Sequence, residues 1–257
     1  MKKIFLSSIV IGLVFVLGCS MNTVKKGNNV QEASAATSNG GFALIELFTS
    51  EGCSSCPPAE ELTNALNQQK KEHVFILAYH IDYWDRLGWK DRFSNAAFSK
   101  RQQDYAELLH LNGIYTPQIV VNGKTEFIGS NIGKLYSSIE EAVSNPAAAK
   151  INITAGLLDN KIVVSCITAK NDDGVINCAL VQLSSSTQVL RGENKGKLLQ
   201  HTNIVTDLKS IPADGKSNEI TFDVPVGKNF NAADYKVIAF VQHKSKGIIA
   251  VNECVIK

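Results

Sequence analysis

The sequence has little of what marks fibrous or unstructured chains: of 257 residues only 6 are proline and 18 glycine. That excludes collagen-like and low-complexity architectures. An excess of one charge is also missing. Lysine and arginine number 26 against 24 aspartate and glutamate, and loss of Lys2 and Lys3 with a leader segment would leave 24 against 24. Nucleic-acid binders carry a basic patch, so no nucleic-acid partner is expected. There is no glycine-rich nucleotide loop and no internal repeat, and no cofactor or metal is implied. What is present is apolar material, 44% of the chain. That is enough for a sizeable core, and at roughly 100–150 residues per domain it suggests two domains.

The chain starts Met1-Lys2-Lys3 and continues with an apolar stretch from Ile4 to Leu17. This stretch is too short to span a bilayer as a helix, so residues 1–18 are read as a secretory signal. It ends in Val16-Leu17-Gly18-Cys19, which resembles the bacterial lipoprotein box, where the signal is cut before the cysteine and the cysteine is acylated. Val16 and Leu17 depart from the usual leucine and small residue. Cys19 is the expected lipidation site. Ser20 stands where inner-membrane retention would call for aspartate, which favours the outer membrane in a Gram-negative host. Residues 19–41 are the lipidated cysteine and a flexible tether with a reach of roughly 25 Å. The expectation is an exported, periplasm-facing, membrane-anchored protein whose cysteines meet an oxidising environment.

From Phe42 strand and helix patterns alternate. Ala43 to Phe48 and Val74 to His80 are short apolar strands, with a helix over 60–71 between them. Phe98, Arg101, Tyr105 and Leu108 form one stripe of a helix that Ser94 would cap. Ile119-Val120-Val121 and Glu126-Phe127-Ile128 flank Asn122-Gly123, a type I′ hairpin signal. Leu135, Ile139 and Val143 mark a last helix. The order β-α-β-α-β-β-α predicts a small mixed sheet covered by helices over residues 42–146.

At its first strand-to-helix turn stands Gly52-Cys53-Ser54-Ser55-Cys56-Pro57-Pro58. A Cys-x-x-Cys at a helix N-terminus reads as a redox pair, because backbone N–H groups and the helix dipole favour a thiolate there. Cys53 is the expected exposed nucleophile and Cys56 the resolving thiol. Thr116-Pro117, just ahead of Ile119, stands where a cis-proline would shape the substrate groove. Pro57 and Pro58 lack N–H groups and Glu51 adds negative charge, so Cys53 is not expected to be strongly acidic.

Element order, Cys-x-x-Cys and Thr-Pro position together resemble the thioredoxin superfamily. The longer stretches Glu46 to Pro58, Tyr79 to Asp91 and Tyr115 to Gln118 resemble an exported bacterial thioredoxin-like family known as domain of unknown function 1223. The resemblance runs from about Phe42 to the C-terminus and implies a fold and a location, without a settled substrate.

The loop after His80 holds both tryptophans, Trp84 and Trp89, and is expected beside Cys53. His80 and Asp82 are candidate proton carriers and Trp84 part of a substrate wall. The other readings are a self-packed loop, or His80 and Asp82 as metal ligands with the thiols. Residues 147–257 show strands alone and predict an all-β sandwich-like domain. Cys166 and Cys178 flank the turn Asn171-Asp172-Asp173-Gly174 and are a candidate structural disulfide across a hairpin; Cys254 has no evident partner. A metal site of these cysteines with His201 or His243 is the weakest reading. The polar run 191–205 is either a surface facing the site or a partner, or an ordered loop.

The expected fold class is thus an α/β thioredoxin-like domain followed by an all-β sandwich-like domain. The expected activity is thiol–disulfide exchange with protein thiols or disulfides. The alternatives are a non-catalytic binding module with a structural disulfide, and a Cu(I)-binding thiol protein.

Overall fold

The computed structural model describes residues 40–171, 173–224 and 230–257. Cys19, the leader and most of the tether lie outside the described residues. Gly41 already belongs to the fold: it is buried, and a Cβ there would come 2.1 Å from the carbonyl oxygen of Asn145.

The first half contains β1 (Ala43–Thr49), α1 (Pro57–Gln68), β2 (Val74–His80), α2 (Ala96–Leu108), β3 (Gln118–Val121), β4 (Thr125–Ile128) and α3 (Ile132–Ser144). α1 begins three residues earlier than its apolar stripe indicates, because Pro57 and Pro58 occupy its first turn, where missing N–H groups cost nothing. Asn95, not Ser94, caps α2, its side chain accepting from Ala97 N at 2.9 Å. Asn122 and Gly123 both have positive φ, as a type I′ turn requires. The second half contains β5 (Ile151–Leu158), β6 (Lys161–Thr168), β7 (Gly174–Gln188), β8 (Leu198–Pro212), β9 (Ser217–Asp223), β10 (Tyr235–His243) and β11 (Gly247–Val255).

The expected fold class does not hold. The strands of the first half do not form a self-contained thioredoxin-like sheet. They are one end of an eight-stranded mixed sheet in the order β11-β10-β7-β8-β2-β1-β3-β4, with a separate three-stranded sheet β5-β6-β9. β1 and β2 are parallel, and β8 joins the free edge of β2, also parallel, with Ala78 opposite Ile204. The long strands β7 and β8 pair antiparallel and carry the sheet from one half into the other. A free β2 edge would leave backbone donors and acceptors unpaired, and β8 satisfies part of it. The expected sandwich is likewise not a domain on its own sheets, since one of its layers is this shared sheet.

Packing follows the same continuity. Alternate residues of β1 point to opposite faces. Ala43, Ile45 and Leu47 meet Ala59 and Leu66 of α1 and Leu135 and Ile139 of α3. Leu44 and Phe48 join Tyr79, Phe98 and Tyr105, and with them Val181, Ile238 and Phe240 from the second half, in one core. The three-stranded sheet packs Ile153, Val164 and Phe222 against Ile176, Leu180 and Val237. The described residues all fall in one compact unit.

Candidate functional site

The β1–α1 loop carries a closed Cys53–Cys56 disulfide, with Cα atoms 5.4 Å apart. Cys56 caps α1, and its backbone N–H donates to the Cys53 carbonyl at 3.2 Å. Ser55 Oγ lies 3.3 Å from Cys53 Sγ and donates to the Thr116 carbonyl at 3.4 Å. The Thr116–Pro117 peptide bond is cis. Trp84 reaches the same place, donating from its indole N–H to Thr116 Oγ1 at 2.8 Å. Cys53, Cys56, Thr116, Pro117 and Trp84 thus converge on one locus.

Cys53 is not an exposed nucleophile here. Both cysteines have 0% exposure, while Ser54 and Ser55 between them are exposed. The cover comes from the connection between β7 and β8. Buried Asn194 donates to the carbonyls of Glu51 (2.9 Å) and Cys53 (2.8 Å), and Ser54 N–H donates to the Glu193 carboxylate at 3.1 Å. Gly192, at φ +74°, turns this loop where a Cβ would come 3.2 Å from Trp89 Cβ. In the disulfide form neither sulfur offers a thiolate to a metal such as Cu(I).

Beneath the disulfide lies a buried ionisable cluster. His80 Nδ1 sits 2.6 Å from Asp91 Oδ2, which also accepts the Glu51 backbone N–H at 2.9 Å. His201, on β8, places Nδ1 2.5 Å from Glu60 Oε2 and Nε2 3.4 Å from Glu51 Oε1. Thr49 Oγ1 donates to Glu60 Oε1 at 2.6 Å, and Trp89 Nε1 donates to Glu51 Oε2 at 2.7 Å. Burial alone would lower the His201 pKa, but the Glu51 and Glu60 carboxylates that face its two ring nitrogens push it up to about 10, so the ring is an imidazolium at neutral pH. Burial would raise the Glu60 and Asp91 carboxyls, yet His201 and His80 respectively hold them below the usual range. The negative charge of Glu51, expected to oppose a Cys53 thiolate, therefore has a cation beside it.

Asp82 does not join this cluster. Its carboxylate accepts from Ser99 Oγ on α2 at 2.5 Å. His80 is present but held by Asp91. The expected Cys166–Cys178 bridge is not formed: both are buried free thiols, as is Cys254. The segment between β6 and β7 closes no hairpin but passes from the three-stranded to the eight-stranded sheet, so the two residues face each other across the core. His243 lies far along the sheet on β10, its Nδ1 accepting from Ser245 N at 3.1 Å.

Residues 44–242, more than three quarters of the chain, match the family described as "Protein of unknown function (DUF1223)". The chain belongs to the DUF1223 family. No curated protein matches it. Among solved structures, the crystal structure of protein AGR_C_4864 from Agrobacterium tumefaciens is similar, with TM-score 0.65 and 23% identity over 85% of this chain and 96% of that one. HBP35 of Porphyromonas gingivalis gives TM-score 0.59 and 18% identity over 85% and 76%. At these identities the likeness concerns the fold alone.

For this DUF1223 chain the sequence reading missed Glu60, Asp91, Asn194 and His201 as members of the site. Asp91 stood within the motif after His80, and Asn194 and His201 within the polar run 191–205, so a signal existed for three of them. Glu60 was visible only as a helix residue. Its position one turn beyond Cys56 puts it on the same face of α1.

Proposed function

We propose that this DUF1223 protein is an exported thiol–disulfide oxidoreductase, tethered to a membrane through lipidated Cys19, that acts on protein thiols or disulfides. The observation that carries the reading is the Cys53–Cys56 disulfide at the N-terminus of α1 with Thr116 and cis-Pro117 against the intervening Ser55. Kinship with the thioredoxin superfamily is part of this proposal and concerns the site, not the eight-stranded sheet.

In the reduced protein the Cys53 thiolate attacks one sulfur of a substrate disulfide. A Cys53–substrate bond forms and the first substrate thiolate leaves. The Cys56 sulfur then attacks Cys53, closing the intramolecular disulfide and releasing the second substrate thiol. Two electrons pass from the dithiol to the substrate, and the reverse sequence oxidises a substrate dithiol. Ser55 is placed to turn its hydroxyl from the Thr116 carbonyl to the Cys53 thiolate. Substrate access requires the loop around Asn194 to lift.

The test is trapping. Cys56→Ser should accumulate mixed disulfides through Cys53, and Cys53→Ser should accumulate none and lose exchange. Equal behaviour of both variants and the parent would refute the proposal. A second reading is favoured by the full burial of both cysteines under Asn194 and Glu193: a structural disulfide in a binding module that presents the Trp84 loop to a protein.

A further inference from the structure

We propose that Glu60, His80 and His201 form a binding site for a divalent transition metal, best matched by zinc, at the seam between β2 and β8. Each of the three offers a ligand atom, and these atoms lie within 4.8 Å of one another. All three side chains are buried. His80 ends β2 and His201 lies near the start of β8, and the two rings meet with centroids 5.0 Å apart.

The second, independent observation is a buried ring nitrogen without a hydrogen-bond partner. His80 Nε2 is fully buried and makes no hydrogen bond, whereas His201 Nε2 and Glu51 Oε1 face each other as an ion pair at 3.4 Å. Buried polar atoms without a partner are rare in native interiors and each calls for an explanation. A cation held among Glu60, His80 and His201 would give the His80 nitrogen its partner.

The surroundings are also those of a metal site. The Asp91 carboxylate can only accept, so His80 Nδ1 donates to it, and Nε2 is the ring nitrogen left for a ligand. Orientation of a ligating imidazole by a carboxylate on its other nitrogen is the usual outer-shell arrangement. Thr49 holds Glu60 Oε1 in the same manner. A dication bound to His201 would take the place of the ring proton that now lies between the Glu51 and Glu60 carboxylates. Two histidines and one glutamate are a known zinc set with a fourth position open. The inference does not depend on the redox proposal, since no sulfur is among the ligands.

The test is titration of the chelator-stripped protein with Zn²⁺ by calorimetry, and with Co²⁺ by visible absorption. The result expected is one ion per chain. His201→Gln and His80→Gln should lower affinity at least 100-fold, and Asp91→Asn roughly 10- to 100-fold. His110→Gln, at an exposed histidine, and the double variant Cys53→Ser/Cys56→Ser should bind as the parent does. X-ray absorption at the zinc edge of the unaltered protein gives a readout independent of how the variants fold. Nitrogen and oxygen neighbours near about 2.0–2.1 Å are expected. A sulfur shell near about 2.3 Å, binding lost with the cysteines but kept without His80 and His201, or no stoichiometric binding, would overturn the proposal.

Discussion

His80 and His201, 121 residues apart in sequence, stack edge to face with ring centroids 5.0 Å apart and planes at 80°. The contact exists because β8 adds to the free edge of β2. It places a residue of the second half inside the site built by the first, alongside Glu60 and below the Cys53–Cys56 loop. The same half supplies Asn194 and Glu193 from above. The site is therefore assembled from both halves, and the following expectations derive from that arrangement.

Asn194 closes the site by donating to the carbonyls of Glu51 and Cys53. Asn194→Ala removes both donations, a cost of about 1–3 kcal/mol in the closed form. Reduction of the disulfide by dithiothreitol in native protein should then speed up roughly 5- to 150-fold, at about 1.4 kcal/mol per tenfold. An unchanged rate would show that the loop does not limit access.

Arg101 and Glu46 form a buried ion pair at 2.6 Å, joined by the Tyr105 hydroxyl and by Gln242 of β10. Arg101→Met strands a buried carboxylate and should destabilise by about 3–5 kcal/mol. Adding Glu46→Gln should restore part of this, because the uncompensated charge is gone. Chemical denaturation of the two single variants and the double variant measures it. Additive losses would contradict the pairing.

A fragment of residues 42–146 should not fold. It would expose Leu44, Phe48 and Tyr79 where Val181, Ile238 and Phe240 now cover them, and it would free the edge of β2. Absence of cooperative thermal unfolding and poor amide dispersion are expected. A cooperative transition in the fragment would show that the first half stands alone.

Burial pushes the Cys254 thiol from 9.0 up to about 12. The unfolded chain loses this proton near pH 9 and the folded chain keeps it, so the unfolded state binds fewer protons in that window. Stability should fall as pH rises between about 9 and 12, by up to about 1.4 kcal/mol per pH unit from this group. Cys254→Ala should lessen the slope by that share while costing some stability at every pH. An equal slope in parent and variant would contradict the shift.

The sequence made local features legible and long-range ones not. The Cys53–Cys56 pair at a strand-to-helix turn, the Asn122-Gly123 turn and the Thr116-Pro117 step follow from residues a few positions apart. Pairing of β2 with β8 does not. Periodicity identifies a strand and its buried face, but Val74 to His80 reads the same whether its outer edge is free or paired. The thioredoxin-like expectation failed at that edge, and with it the recognition of His201 as a neighbour of His80. Cys166 and Cys178 failed similarly: a turn signal between two strands reads as a hairpin, although here it connects two sheets.

The central claim, exchange at Cys53 and Cys56, is tested most directly by a redox titration of the chain from residue 20 onward in glutathione and dithiothreitol buffers, with alkylation and mass readout at both cysteines. A reversible midpoint between roughly −120 and −270 mV, the span of known oxidoreductases, is the result expected. A pair that stays oxidised to below about −300 mV is structural, and that result would contradict the account.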